Sequence, residues 1–197
     1  MHENCRLLFN RYALPFFATG HRVLEIGPLV MPSDFQKAVG NKAEVWDTLN
    51  ITSTPGLTYA GVAEYSYPIA GGVYDVVFSN QVIEHVRNPW IWMKELVRIC
   101  KVGGVVINIS PVSWPYHGPP DYWRIYPEGM RTLYEESGLR CILSECESLE
   151  VPGYRRYWPR YSFQSLPWTR RLIHRILGRI GLPVPCALDT IAIGEKL

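Results

Sequence analysis

Arg22-Val23-Leu24-Glu25-Ile26-Gly27-Pro28-Leu29 is an apolar strand that runs into an acid, a glycine and a proline. Such a run makes a sharp turn at the carboxyl edge of a sheet, where open α/β sheets bind their ligands. Glycine at position 27 lets backbone approach a bound molecule with no side chain between them, and Glu25 sets a carboxylate beside that approach. A cationic ligand suits this corner. The turn that binds dinucleotides carries glycine at its first, third and sixth positions, so that a pyrophosphate lies against bare backbone. Here the third position is Leu29 and the sixth is Pro32, which argues against a phosphate cradle.

Outward from that stretch, strand and helix patterns alternate. Upstream, Leu7, Leu8, Phe9, Tyr12, Leu14 and Phe16 suit a short amphipathic helix within Cys5 to Phe17, packed under the sheet or folded over the ligand as a lid. Downstream, Pro32-Ser33-Asp34 caps a short helix that closes at Gly40. A second strand fits Ala43 to Trp46, finishing in Asp47, and a short third fits Leu57 to Ala60 after Pro55-Gly56. Tyr74 to Ser79 is a nearly continuous apolar run, as expected of a strand buried on both faces of a parallel sheet. Asn88-Pro89 then caps a helix with Trp90, Met93, Leu96, Val97 and Cys100 on one face, ended by Lys101-Val102-Gly103-Gly104. Gly104 to Ser110 is a further β-branched strand, so strand, helix and strand make a right-handed crossover. Residues 111 to 126, rich in Pro, Trp and Tyr, read as a long loop on the ligand edge. A helix over Pro127 to Ser137, stopped by Gly138, precedes strands at Arg140 to Ser144 and Cys186 to Ile193. The alternation predicts an α/β chain with a mostly parallel sheet.

With 197 residues, 47% hydrophobic and 19% charged, the chain has the length and composition of one α/β domain. No apolar run approaches the roughly 20 residues that cross a bilayer, and the N-terminus lacks the order of a signal peptide, so a cytoplasmic protein is expected. The five cysteines are scattered, without a Cys-x-x-Cys pair or histidines at metal-finger spacing, so buried free thiols and no metal are expected.

At Glu25 and Gly27 the chain resembles the class I S-adenosylmethionine-dependent methyltransferases, whose first motif is a strand ending in an acid, a hydrophobic residue and a glycine wrapped around the methionine end of the cofactor. Tyr74-Asp75-Val76-Val77-Phe78-Ser79-Asn80-Gln81-Val82-Ile83-Glu84-His85-Val86 looks like the fourth-strand motif of the type 11 methyltransferases. The resemblance covers roughly residues 20 to 145 and implies a single Rossmann-like, doubly wound domain, mostly parallel with an antiparallel C-terminal strand. It implies S-adenosylmethionine as cofactor, with Glu25, Gly27 and Pro28 around its first turn. Asn80 and Gln81 should touch the methionine portion and His85 should stand near the transferred methyl group. The bland alternative for His85 is a half-buried residue bonded to a backbone carbonyl. Val62 stands where the family places an acid for adenine, which leaves that role to Glu64, to backbone in the Ala63 segment, or to a pocket that holds adenine by apolar contact alone. Asp47, about 20 residues beyond Glu25, is the expected ribose ligand, with Asn50 the competing candidate.

Acceptor chemistry is expected in Tyr116-His117-Gly118-Pro119-Pro120-Asp121-Tyr122-Trp123-Arg124. Methyl transfer from a sulfonium requires alignment of the nucleophile and removal of one proton, which His117 or Asp121 would take. Tyr116, Tyr122, Trp123 and Arg124 would hold the acceptor, with the aromatics stacking on a sugar or flat ring. The alternative is a structural loop in which Asp121 pairs with Arg124.

A basic, aromatic-rich insertion spans about 151 to 185, with seven arginines and no Asp or Glu. Its stretch from 168 to 180 is amphipathic, which suits docking on the domain, phosphate binding or peripheral contact with the inner face of a membrane. The expected function is methyl transfer to a hydroxyl of a small-molecule or glycan-type acceptor, with phosphate-bearing and lipid-linked acceptors included. RNA methylation and a catalytically silent scaffold are the alternatives. Nucleic acid ranks behind, because base-amino methylases carry an Asn- or Asp-Pro-Pro-aromatic turn after the fourth strand and this chain has Asn80-Gln81-Val82-Ile83 there.

Overall fold

Strand β1 (His21–Ile26) lies near the middle of a seven-stranded sheet. The computed structural model describes residues 3–114, 116–149, 169, 172, 176 and 189–197. Chain order is α1 (Glu3–Leu8), a π-type turn (Phe9–Ala13), a 3-10 turn (Leu14–Phe16), β1, α2 (Asp34–Val39), β2 (Ala43–Asn50), β3 (Tyr59–Ala60) and β4 (Tyr74–Asn80). There follow a 3-10 turn (Ile83–His85), α3 (Pro89–Ile99), β5 (Cys100–Pro111), α4 (Pro127–Glu136), β6 (Leu139–Glu147) and β7 (Asp189–Lys196). The strand order is β3-β2-β1-β4-β5-β7-β6. Strands β1 to β5 pair in parallel, and β7 runs antiparallel between β5 and β6. This is the expected Rossmann-like, doubly wound sheet with an antiparallel C-terminal strand. Its order reverses between β1 and β4, so the crevice at their carboxyl ends is the place for a ligand.

The apolar runs are continuous because both faces of the sheet are covered. On one face Leu24, Leu49, Val77 and Val106 pack with Trp92, Met93 and Leu96 of α3 and with Met130, Leu133 and Tyr134 of α4. On the other, Val23, Val76, Phe78 and Ile107 meet Leu8, Phe9 and Phe17 of the N-terminal segment and Phe35 of α2. Of the two positions open to that N-terminal segment, the structure places it against the sheet. Its helix is shorter than the pattern predicted and breaks into a π-type and a 3-10 turn before Phe17. Ser33 caps α2 by accepting from the Gln36 amide, and Asn88 caps α3 by accepting from the Ile91 amide. Cys5 and Cys100 are buried free thiols, Cys146 is buried and Cys141 half-buried, while Cys186 lies outside the described residues.

Several boundaries differ from expectation; β6 and β7 run on to Glu147 and Lys196, past the expected Ser144 and Ile193. Strand β2 continues three residues past Asp47 to Asn50, because Thr48 and Leu49 keep pairing with Glu25 and Ile26. Strand β5 begins at Cys100, not Gly104, with Cys100 beside Tyr74 and an irregularity before the regular pairing resumes at Val105. The insertion at 151 to 185 falls outside the described residues except for Thr169, Leu172 and Ile176, which are helical and exposed.

Candidate functional site

Two turns meet at the switch point. Gly27, the residue after β1, has φ of +87° and donates its amide to the Leu49 carbonyl at 2.8 Å. A methyl group added at Gly27 would overlap Val82 Cγ2 from the turn after β4. Glycine is thus required by its left-handed backbone and by the close approach of the second turn.

Glu25 is almost fully buried, and its Oε2 accepts from Ser33 Oγ at 2.7 Å and from Trp46 Nε1 at 2.9 Å. Burial pushes its carboxyl above the ordinary range, and the two hydrogen bonds only partly oppose that. Its visible work is to brace the loop after β1 against β2 and α2. Strand register settles which residue reaches the crevice from β2. Ile26 pairs with Leu49, so Asn50 stands level with Gly27, whereas Asp47 pairs back at Leu24 and accepts from Tyr74 Oη at 2.8 Å. The expected strand end at Asp47 is therefore corrected to Asn50. The Asn50 amide reaches the Pro28 carbonyl at 3.4 Å, tying the two strand ends together. Glu64 accepts from the Arg87 amide at 3.0 Å, and Ala63 bridges Ser66 in the same turn after β3.

Beyond β4, Gln81 takes φ of +54° and donates its backbone amide to the Ile109 carbonyl at 2.8 Å. Its side-chain amide donates to Asp189 Oδ1 at 2.9 Å, and Asp189 also accepts from Asn4 Nδ2 at 2.7 Å. Residues from three distant parts of the chain thus brace this turn. Asn80 Oδ1 and Gln81 Oε1 are buried acceptors without a hydrogen-bond partner. Buried polar atoms are ordinarily satisfied, so a pair of orphan acceptors at a switch point fits a ligand that brings N–H donors or positive charge. S-adenosylmethionine brings an ammonium and a sulfonium. The two orphan acceptors fit such a cationic group.

The 3-10 turn after β4 carries Glu84 and His85. Glu84 has no accessible side chain, and neither of its oxygens accepts a hydrogen bond from another residue. Burial pushes its carboxyl up to about 8, with the carboxylates of Asp121 and Asp189 acting in the same direction. His85 Nδ1 lies 2.7 Å from the Pro120 carbonyl; a carbonyl only accepts, so Nδ1 carries the proton. The loop at 116–124 is pinned to this turn: the Tyr122 amide donates to the Glu84 carbonyl at 2.7 Å, and Trp123 Nε1 donates to the Val86 carbonyl at 2.9 Å.

Within the loop, the Asp121 side chain is covered, forms a two-point pair with Arg124 and accepts from the His117 amide at 3.0 Å. The Arg124 guanidinium holds the Asp121 carboxyl far below the usual carboxylate range, so it is a poor proton acceptor. The structure therefore favours the loop-bracing alternative for Asp121. Arg124 is equally engaged, since it also donates to the Trp114 and Trp123 carbonyls. Trp123 packs edge-on against Trp90 with ring centroids 6.1 Å apart. Tyr116 and Tyr122 are exposed and remain open to an acceptor, and His85 and His117 lie 5.3 Å apart between ring centroids. Glu84 is the residue that sequence reasoning passed over, although the apolar neighbours Ile83 and Val86 already marked it for burial. Two clefts, of about 210 and 270 Å³, lie beside Phe16 and Asp75 at the amino edge and between the loop after β1 at Met31 and Pro32 and Trp46, Thr48 and Thr58. The orphan polar atoms, not these clefts, mark the candidate site.

Comparison with known proteins agrees with this geometry. Residues 37–108 match the family model described as a methyltransferase domain. An uncharacterized methyltransferase from Mycobacterium sp. (strain JLS) is 37% identical over 65 residues, which is 32% of this chain and 25% of that protein. The matched segment thus spans about a quarter of that relative's length. A SAM-dependent methyltransferase from Archaeoglobus fulgidus superposes with a TM-score of 0.64 at 18% identity, covering 98% of this chain and 93% of that one. Phosphoethanolamine N-methyltransferase 2 of Haemonchus contortus, solved with S-adenosyl-L-methionine, superposes with a TM-score of 0.63 at 15% identity, covering 98% and 52%. By strand order and superposition the chain has the fold of the solved S-adenosylmethionine-dependent methyltransferases, and its residues 37–108 are similar to the methyltransferase-domain family.

Proposed function

We propose that the chain binds S-adenosylmethionine at the β1–β4 switch point and transfers its methyl group to a hydroxyl of a small-molecule or glycan-type acceptor. The observation that carries the reading is the pair of orphan acceptors, Asn80 Oδ1 and Gln81 Oε1, at the crevice beside Gly27. The cofactor, when bound, supplies a methyl group on a positively charged sulfur. Asn80 and Gln81 accept from its cationic end, Asn50 takes a ribose hydroxyl, and Glu25 keeps the first turn in shape through Ser33 and Trp46. Tyr116 and Tyr122 offer exposed rings to the acceptor, and a ring nitrogen of His85 or His117 stands where a hydroxyl proton would leave.

The test is methyl transfer from labelled cofactor to panels of sugars, phenols, lipid-linked glycans and RNA. Label in the hydroxyl-bearing panels supports the reading, and label in RNA alone overturns the acceptor class. A silent binding module is the second reading, favoured by Leu29 in place of the motif glycine and by Val62 in place of the adenine acid. Cofactor binding without label in any panel would favour it. Membrane contact through 168–180 is part of the proposal for lipid-linked acceptors. Replacing Arg170, Arg171 and Arg175 with Gln should then weaken binding to anionic vesicles at low salt, because screening tightens from about 10 Å at 0.1 M to about 3 Å at 1 M.

A further inference from the structure

We propose that Glu84, His85 and His117 form a binding site for a first-row divalent cation of the zinc type. Each offers one ligand atom, and these atoms all lie within 4.8 Å of one another. Two histidines and one carboxylate form a donor set used for zinc and for other first-row metals, with one or more positions left open.

Several independent features point to an ion. Glu84 is fully buried, yet both its oxygens lack a partner and its Oε1 lies 3.8 Å from His85 Nε2. At metal–ligand distances of about 2.0–2.1 Å, two tetrahedral ligands stand about 3.4 Å apart, so this pair already nearly spans one ion. His85 donates Nδ1–H to the Pro120 carbonyl, which turns the lone pair of Nε2 outward. That outer-shell bond is how metal-ligating histidines are oriented. His117 Nδ1 is buried without a hydrogen-bond partner, 3.3 Å from Asp121 Oδ2, which adds an orphan nitrogen to the cluster and places a carboxylate beside the ring. Asp121 is itself locked by Arg124. The widest ligand pair must close by at most about 1.4 Å, an inward shift of the His117 loop. Both histidines are about one third exposed, at 31% and 32%, so an ion has access from solvent.

The cluster joins the turn after β4 to the loop that carries Tyr116 and Tyr122. A cation there would lower the pKa of a coordinated hydroxyl, whose proton then passes to solvent water at the exposed side of the cluster, because His85 and His117 give their free lone pairs to the ion. This role rests on the methyl-transfer reading, whereas the binding site itself does not.

The test uses the full chain, stripped with a chelator and titrated with Zn²⁺, then with Co²⁺ for its visible absorption, and with Mg²⁺ as a hard comparator. The expected result is one equivalent of Zn²⁺ bound by a folded protein, with Co²⁺ absorption in the same stoichiometry and Mg²⁺ at least ~100-fold weaker, because imidazole ligands disfavour it. His85→Gln, His117→Gln and Glu84→Gln should each weaken Zn²⁺ by ~10-fold or more, while His21→Gln at the opposite edge of the sheet should not. Since Glu84→Gln alters a buried site, the two histidine variants carry the test if it fails to fold. Absence of stoichiometric Zn²⁺ uptake, or uptake unchanged in both histidine variants, overturns the site. Failure of cofactor binding in a protein that still takes up one Zn²⁺ overturns the methyl-transfer reading and leaves the metal site standing.

Discussion

Replacing Gly27 with alanine probes the contact on which the crevice is built. Gly27 has φ of +87°, and an L-residue in left-handed backbone costs roughly 1–2 kcal/mol. The new methyl group also falls on Val82 Cγ2, with Val82 Cβ 3.8 Å away. Val82 is β-branched and has little freedom to turn aside, so forcing a methyl into that contact costs about 1–3 kcal/mol more. The sum is roughly 2–5 kcal/mol, a fall in Tm on the order of 10 °C for a chain of this length. The two contributions separate in a double-mutant cycle. Val82→Ala removes the clash and leaves the backbone strain, so the double variant should be more stable than the sum of the singles by about 1–3 kcal/mol. Urea unfolding of the four proteins measures this coupling. Additivity within about 0.5 kcal/mol would show that the turns after β1 and β4 do not touch, and the reasoning would fail.

Asn50→Ala should weaken cofactor binding by about 0.5–1.5 kcal/mol while leaving the fold intact, and Asp47→Ala should mainly lower stability by stripping Tyr74 Oη of its acceptor; calorimetry that finds the reverse order would return the ribose to Asp47. Glu25 has a raised carboxyl pKa in the folded chain, so its contribution is fully present below the unfolded value and is lost as pH rises through the folded one. Glu25→Gln should therefore gain stability over the parent as pH climbs from acid toward neutral, and parallel Tm–pH curves would contradict this. Tyr134 Oη receives the Asn108 side-chain amide at 2.7 Å and donates to the Ala192 carbonyl at 3.1 Å, all buried. Tyr134→Phe should cost about 1–3 kcal/mol by orphaning the Asn108 donor, and a loss under ~0.5 kcal/mol would show that Asn108 finds another partner.

The sheet was legible in the sequence because continuous apolar runs such as Tyr74 to Ser79 have no other soluble home than a strand covered on both faces. The turn at Gly27 was legible for the same local reason. The end of β2 was misplaced at Asp47 because strand ends depend on pairing, and Thr48 and Leu49 keep β2 in register with β1 although their pattern alone does not say so. Asp121 read as a base because a sequence shows an acid beside an arginine but not that both oxygens are taken. Asn4, Gln81 and Asp189 are far apart in the sequence, and nothing local in any of them announces the junction. The cluster of Glu84, His85 and His117 escaped for a related reason: its ligands meet only when the loop after β5 folds back on the turn after β4.

The most direct measurement is the melting temperature of the chain with S-adenosylmethionine, S-adenosylhomocysteine, NAD and NADP, each at about 100 times its dissociation constant or at the solubility limit. A bound ligand at that excess adds roughly 2.7 kcal/mol, which corresponds to a rise of about 5–10 °C for a domain of this size. The account predicts that rise with the two adenosyl compounds and none with the dinucleotides, because Leu29 and Pro32 deny a pyrophosphate its bare backbone. A rise with NAD or NADP alone would contradict it.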